Sequence, residues 1–393
     1  MVPNGWEVKS PSKLFKLFSG FAFKSSDAKE SGAKWLKIAN VGIGEIKWDA
    51  DSFLPEHFLL EHKKYLLTKG DIVVALTRPT LGNKLKVARL TKNSDTSLLN
   101  QRVAKIVCKD NVDSEFTFQV LRSDQFAFRI NVGLLGTDPP NLSVKVLEDF
   151  TIPVPPLPEQ RKIAQILSTW DRGIATTEKL IDASKLQKKA LMQQLLTGKK
   201  RLVNPETGKA FEGEWKFSQF NELYKVANNK ATQVKSGEYL ESGRTPIVDQ
   251  GKSIVGGYTN NEITYKDLPV IVFGDHTRIV KWVDFEFAQG ADGTQVLKSH
   301  KSMDDKFAYY VLLNTDIPNL GYSRHMRELK ERDFKYPISK VEQQKIASVL
   351  TAADKEIELL EAKLSHFKQE KKALMQQLLT GKRRVKVPET EAA

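Results

Sequence analysis

Apolar residues recur along two long stretches of the chain in alternating steps of four and three. One stretch runs through Ile346, Leu350, Ala353, Ile357, Leu360, Leu364, Phe367, Leu374 and Leu378. A mean period of about 3.5 marks a helix with one narrow apolar seam, the pattern of a coiled coil. The other runs through Ile163, Leu167, Trp170, Ile174, Thr177, Ile181, Ser184, Leu191 and Leu195. A lysine interrupts each seam at the same place, Lys188 in one and Lys371 in the other, and packing gives no reason for it. Ser339-Lys340-Val341-Glu342 has capping-box spacing, Pro158 sits where a first-turn proline is tolerated, and Gly198 and Gly381 stop the helices. Each predicted helix is roughly 40 residues long, about 60 Å at about 1.5 Å per residue.

Between these stretches the pattern is shorter and β-rich. Residues 71–76, 86–90 and 102–107 read as strands separated by glycine and asparagine turns, and Phe116 to Ile130 reads as helical. Residues 270–273 and 278–283 read as strands, with a helix near Lys306 to Asn314. Both regions are mixed α+β.

The two halves repeat. The twelve residues Lys188–Lys199, KKALMQQLLTGK, recur unchanged as Lys371–Lys382, an offset of 183 residues. At that offset Glu159-Gln160 matches Glu342-Gln343, and Asp171 matches Asp354. Trp6 matches Trp215 at a different offset, so the interiors of the two domains differ in length. The chain is a tandem duplication that keeps its helices and domain edges and varies what lies between. A helix with a single seam needs a partner, and the nearest is its own repeat. Identical units related by a twofold axis across their own seam pair antiparallel, which would set the domains at opposite ends of a rod.

Composition narrows the partners. A net charge of +13 and a pI near 9.4 favour a polyanion such as nucleic acid, though a merely basic protein would look the same. The single Cys108 excludes a disulfide framework and a multi-cysteine zinc site. No uncharged stretch approaches the roughly 18 residues of a membrane span, and the first ten residues hold no apolar run. A cytoplasmic protein with no membrane association is expected.

Polar and basic residues gather in the turns. Thr77-Arg78 precedes Asn83-Lys84, and Gln101-Arg102 opens a strand. In the second domain the groups are His276-Thr277-Arg278 and Tyr322, Arg324 and His325. Arginine fits guanine edges, asparagine or glutamine fits adenine edges, and lysine or hydroxyls more often hold phosphates. Each such loop is also what a solvated surface turn looks like. Signs of catalysis are weak. Asp138-Pro139-Pro140-Asn141 resembles the Asp/Asn-Pro-Pro-aromatic motif of amino-methyltransferases, but Asn141 replaces the aromatic residue and no glycine-rich cofactor loop precedes it. No phosphate loop is present, since Gly198-Lys199 and Gly381-Lys382 follow helices. Asp275-His276 lacks a nucleophile or third partner, and six histidines without ligand spacing give no metal site.

Taken together, the motifs resemble those of the specificity subunits of type I restriction-modification systems. The resemblance rests on Pro155-Pro156-Leu157-Pro158-Glu159-Gln160-Arg161-Lys162-Ile163-Ala164, the twin Leu-Leu-Thr-Gly-Lys helix ends, Trp6 and Gly213-Glu214-Trp215. Gly70-Asp71-Ile72-Val73, Pro140-Asn141-Leu142-Ser143, residues 272–278 and residues 321–325 add to it. Ser339-Lys340-Val341 departs from the proline-rich helix start of the first copy.

The resemblance implies an α+β fold in which two mixed α/β target-recognition domains are separated by two long repeated helices forming an antiparallel, pseudo-twofold coiled coil. The expected segments are recognition domain 1 at 1–154, spacer helix 1 at 155–198, a linker at 199–213, recognition domain 2 at 214–338, spacer helix 2 at 339–381, and a basic, flexible tail at 382–393. It implies a non-catalytic subunit that binds a split double-stranded DNA site and docks two methyltransferase subunits and the restriction subunits. S-adenosylmethionine, ATP and magnesium would be bound by those partners and none by this chain. A rod of 60 Å would cover at most about 18 base pairs, and domains on one face of the duplex would put half-site centres about 10 base pairs apart. A coiled-coil adaptor without DNA recognition, or a stand-alone DNA-modifying enzyme, remain the alternatives.

Overall fold

The computed structural model describes residues 2–49, 52–136, 138–291, 293–321 and 323–387. The chain forms two compact units, one of Met1–Thr176 with Leu364–Ala393, the other of Thr177–Lys363. These units do not follow the six predicted segments. Each takes one domain, the start of the helix that follows it and the end of the other long helix.

In the first unit, β1 (Glu7–Lys9) pairs antiparallel with β6 (Ile152–Val154) and closes the domain at its base. A four-stranded sheet lies between them in sequence. It consists of β2 (Phe15–Ser19), β3 (Ile72–Ala75), β4 (Val87–Arg89) and β5 (Val103–Cys108), in the order β2-β5-β3-β4. The run Ile72-Val73-Val74-Ala75 is buried along its whole length, as the centre of a covered sheet requires. Helices α1 (Ser114–Leu121), α2 (Asp124–Gly133) and α3 (Val144–Glu148) follow. The predicted single helix over Phe116–Ile130 is thus two. Ser123 caps the second, its hydroxyl accepting from the Phe126 N–H.

In the second unit β7 (Trp215–Gln219) pairs with β12 (Asp333–Pro337) in the same way. Its four-stranded sheet comprises β8 (Tyr224–Val226), β9 (Val270–Gly274), β10 (Val280–Val283) and β11 (Thr294–Ser299), in the order β8-β11-β9-β10. That is the strand order of the first unit, reached with little shared sequence. Helices α5 (Asp305–Leu313) and α6 (Met326–Lys330) occupy the places of α1 and α3. Each domain also has a second, smaller four-stranded sheet, and these two differ in strand direction and order.

The two seam patterns are helices of 39 residues each, α4 (Leu157–Leu195) and α7 (Lys340–Leu378). The stops follow as read, with Gly198 at φ 72° and Gly381 at φ 75°, values a side chain would strain. Within each unit the helix segments run antiparallel. In the first, Trp170 meets Phe367 edge to face at 5.5 Å and Asp171 bonds Lys371. In the second, Ser184 bonds Glu356, Lys185 pairs with Glu361, and Lys188 pairs with Asp354. Ile163, Leu167, Ile181, Ile346, Leu350 and Ile357 are buried, whereas Trp170, Ile174, Leu360, Leu364 and Phe367 are half-buried. At its ends the seam joins the domain cores: Ile163, Leu167 and Leu378 pack with Phe116 and Leu147, and Leu195, Ile346 and Leu350 pack with Phe307 and Phe334.

One expectation needs correction. Only half of the capping box forms, because Ser339 Oγ accepts from the Glu342 N–H while the Glu342 carboxylate is taken by Arg201. The segment 199–213 lies between the long helix α4 and β7. It folds back on itself through a Val203–Ala210 bridge, and Arg201 donates to Glu342 and to the Gly213 carbonyl. The tail is anchored as far as it is described. Arg384 donates to Glu159 and to the Asn4 carbonyl, and Val385 packs on the core.

Candidate nucleic-acid interface

In the first domain the turn after β3 is fastened to the chain before α3. The Thr77 hydroxyl donates to Asn141 Oδ1 at 2.7 Å, the Arg78 N–H donates to the Pro140 carbonyl at 2.8 Å, and the Leu142 N–H donates to the Leu76 carbonyl at 2.8 Å. The Leu76 N–H in turn donates to the Arg102 carbonyl at 2.9 Å. Thr77, Gln101, Arg102 and Asn141 thereby line one cleft of about 410 Å³ with Leu76, Pro139 and Leu142. Arg78, at φ 47°, stands exposed beside it. A left-handed conformation is unusual for arginine and is held here by the surrounding bonds. Asn83 lies exposed in the next hairpin. Lys84 is committed to Asp124 on α2, and Asn131 accepts from Thr80 and donates to the Gly82 carbonyl.

The second domain joins the corresponding segments with different residues. His276 Nδ1 lies 3.2 Å from the Ser323 carbonyl, and the Met326 N–H donates to Asp275 Oδ1 at 2.6 Å. The Thr277 hydroxyl donates to the Gln250 carbonyl, and Gln250 Oε1 accepts from the His276 N–H. Arg278, at φ 60°, is left-handed as Arg78 is, but its guanidinium donates to the Ile317 carbonyl. Thr277 and Arg324 are exposed. Tyr322 lies outside the described residues. His325 is a correction: it is fully buried, with Nδ1 2.8 Å from the Asp275 carbonyl, and has no surface to offer a duplex.

Asn141 and Gln250 were missed as site residues. The first belongs to a methyltransferase-like motif and to the Pro140-Asn141-Leu142-Ser143 run, neither of which marks it as a contact, and its bond to Thr77 spans 64 residues, beyond any local signal.

The seam lysines now have a place. Lys371 is 7% exposed and donates to Asp171 Oδ1 at 2.6 Å, and Lys188 makes the corresponding contact with Asp354. Asp171 also accepts from Gln119 Nε2 at 2.8 Å and Arg122 Nη1 at 2.9 Å, while Asp354 accepts from the Tyr310 hydroxyl at 2.7 Å. One carboxylate therefore joins the opposite long helix to the first helix of its own domain. Burial would raise the Asp171 carboxyl, but the Arg122 and Lys371 cations hold it below the usual carboxylate range. Burial pushes the Lys371 ammonium down, with Arg122 alongside, and Asp171 opposes that shift. A second node ties each helix start. Gln160 accepts from the Asp113 N–H and donates to the Pro155 carbonyl; Gln343 does the same with Asp304 and Pro337. Glu159 binds Arg384 and the Trp6 indole, and Glu342 binds Arg201. Arg201 and Arg384 are themselves 183 residues apart, a signal present in Lys199-Lys200-Arg201 and Lys382-Arg383-Arg384.

Among the described residues no group of His, Cys, Asp and Glu could hold a metal ion, and no helix is long and apolar enough to cross a membrane. Two modules with one sheet plan and differently built polar turns, each locked to a repeated helix pair, define a duplicated recognition scaffold. The chain belongs to the type I restriction modification DNA specificity domain family, whose model matches residues 3–184 and 212–369. It is 39% identical over 204 residues to the type I restriction enzyme MjaVIII specificity subunit of Methanocaldococcus jannaschii, covering 52% of this chain and 48% of that one. Over 180 residues it is 33% identical to the EcoAI specificity subunit of Escherichia coli, covering 46% of this chain and 30% of that one. The match thus spans half or less of those two relatives. With the putative MjaX specificity subunit of Methanocaldococcus jannaschii it shares 29% identity over 415 residues, covering 98% and 95% of the two chains. In fold it is similar to the crystal structure of the S subunit of a type I restriction-modification system from M. genitalium, with TM-score 0.64, 18% identity, and coverage of 96% and 98%. The α+β fold with two long helices packed on each other is the one the sequence predicts.

Proposed function

We propose that this chain is the DNA sequence-specificity subunit of a type I restriction-modification complex and that each domain reads one half of a split, asymmetric target. One observation carries the reading. In both domains the turn that follows the same central strand of the same sheet carries Thr-Arg, with the arginine left-handed each time, while the surrounding loops differ. A shared platform with unlike loops suits two unlike half-sites. The first is read from the cleft of Thr77, Gln101, Arg102 and Asn141 with Arg78 at its rim, the second from Thr277, His276 and Arg324. The repeated helices serve as docking surface for two methyltransferase subunits. The identical block exposes Lys189, Gln193 and Gln194 in one copy and Lys372, Gln376 and Gln377 in the other, as two copies of one partner would need. Restriction subunits join that assembly. The chain itself does no chemistry, and S-adenosylmethionine, ATP and magnesium belong to the partners.

Selection from a random-sequence duplex pool with the full chain, repeated for Arg78→Ala and Arg324→Ala, tests this. Each substitution should relax one position in one half-site only and cost roughly 1–3 kcal/mol there. A uniform loss across all sequences would leave both arginines as phosphate contacts and remove the base-reading assignment.

A further inference from the structure

Lys281 is 5% exposed in the second domain, where it sits on β10. Its ammonium donates to two backbone carbonyls of one loop, Asp249 at 2.6 Å and Ser253 at 2.5 Å, and lies 3.5 Å from the Asp249 carboxylate. Burial pushes this ammonium down, and Asp249 opposes the shift. Taking a cation out of water is costly unless its donors are met by oxygens in good geometry, and this loop supplies three. The loop joins the strand Thr245–Val248 to the strand Gly257–Thr259.

The same loop holds the candidate reading turn. The Gln250 carbonyl accepts from Thr277 Oγ1 at 2.6 Å, and the Gln250 side chain accepts from the His276 N–H at 3.1 Å. Its fit is close: a methyl group on Gly256 would meet the Asp249 carboxylate at 2.6–2.9 Å. Two of the loop's carbonyls are drawn inward to a buried cation, so the acceptor ends of those peptides face away from solvent. The side chains the loop leaves exposed are those of Lys252, Ser253 and Ile254, with Ile254 47% exposed. An ammonium and a hydroxyl on a loop with inward carbonyls form a surface suited to a phosphate.

We propose that the loop of residues 249–254 is a phosphate clamp on the DNA backbone of the second half-site, with Lys252 and Ser253 as its contacts and Lys281 as the positioning residue that holds it. This rests on the reading of the chain as a DNA-binding subunit and extends it to residues outside every motif singled out in the sequence. Because the loop also fixes Gln250 under His276 and Thr277, clamp and reading turn move together.

The test uses the full chain and a labelled duplex that the chain itself selects from a random pool, titrated over a range of salt. Lys252→Ala should weaken binding to all sequences alike and lower the slope of log affinity against log salt by about one. Lys281→Met should weaken binding and relax the second half-site while leaving the first unchanged. Adding Lys252→Ala to Lys281→Met should then cost little more, because the contact is already lost. A Lys281 that served only stability would give additive losses in that cycle, with no change confined to one half-site, and would overturn the positioning role. An unchanged salt slope in Lys252→Ala would overturn the clamp. If Lys281→Met does not fold, Lys252→Ala and Ser253→Ala still decide the clamp. If the wild-type chain enriches no duplex at all, it is the DNA-binding reading that fails.

Discussion

Replacing Asp171 with alanine should destabilise the first unit out of proportion to the one side chain removed. Its carboxylate accepts from Lys371, Arg122 and Gln119. Without it, an ammonium that is 7% exposed is left at an apolar seam beside a guanidinium. Breaking a buried ion pair from one side costs about 3–5 kcal/mol. Asp171 itself is 28% exposed, so solvent screening reduces that to about 2–3 kcal/mol. The double variant Asp171→Ala/Lys371→Met removes the stranded cation and places an apolar side chain at the seam position. It should be more stable than Asp171→Ala alone. Hydrogen exchange of the α4 amides around residue 171 reads the opening free energy of this unit. A loss below about 0.5 kcal/mol in the single variant, or a double variant carrying the full sum of both losses, would refute the reasoning.

Acid should act through the same carboxylate. A folded value below the usual range means its stabilisation is complete above about pH 4 and is lost as pH falls through that value; amide exchange in acid should accelerate accordingly, and Asp171→Asn should flatten the response. Arg201→Met strands Glu342, whose side chain is 1% exposed, and should cost about 3–5 kcal/mol by thermal denaturation. Arg384→Met should cost less, because Arg384 is exposed and Glu159 keeps the Trp6 indole N–H. Asn141→Ala removes the acceptor of the Thr77 hydroxyl and should weaken binding at the first half-site alone, about five- to tenfold for roughly 1 kcal/mol in a fluorescence titration.

What the sequence reveals follows from how local each interaction is. The seams, the glycine stops and the central strands are written in spacing and side-chain type, so Ile163, Leu350 and Val73 are legible one by one. Identity between repeats also carries long-range facts: Asp171 and Lys371 both belong to 183-residue pairs, and only their mutual contact was hidden. The capping box misled because Glu342 suits two roles, and a charged partner from the preceding segment outcompetes the local N–H. The site is less legible. Thr77 and Thr277 stand in recognisable turns, but Asn141 reaches the first and Gln250 the second from other segments, where no periodicity announces them. His325 reads as a polar loop residue and is instead core, because the buried Asp275 turns its carbonyl toward it.

Methylome sequencing of a strain carrying this chain with its partner subunits reads the recognised motif itself. The expected result is one motif made of two unlike specified half-sites separated by unread base pairs, with Arg78→Ala altering only one of them. A continuous motif, or a palindrome, would contradict it.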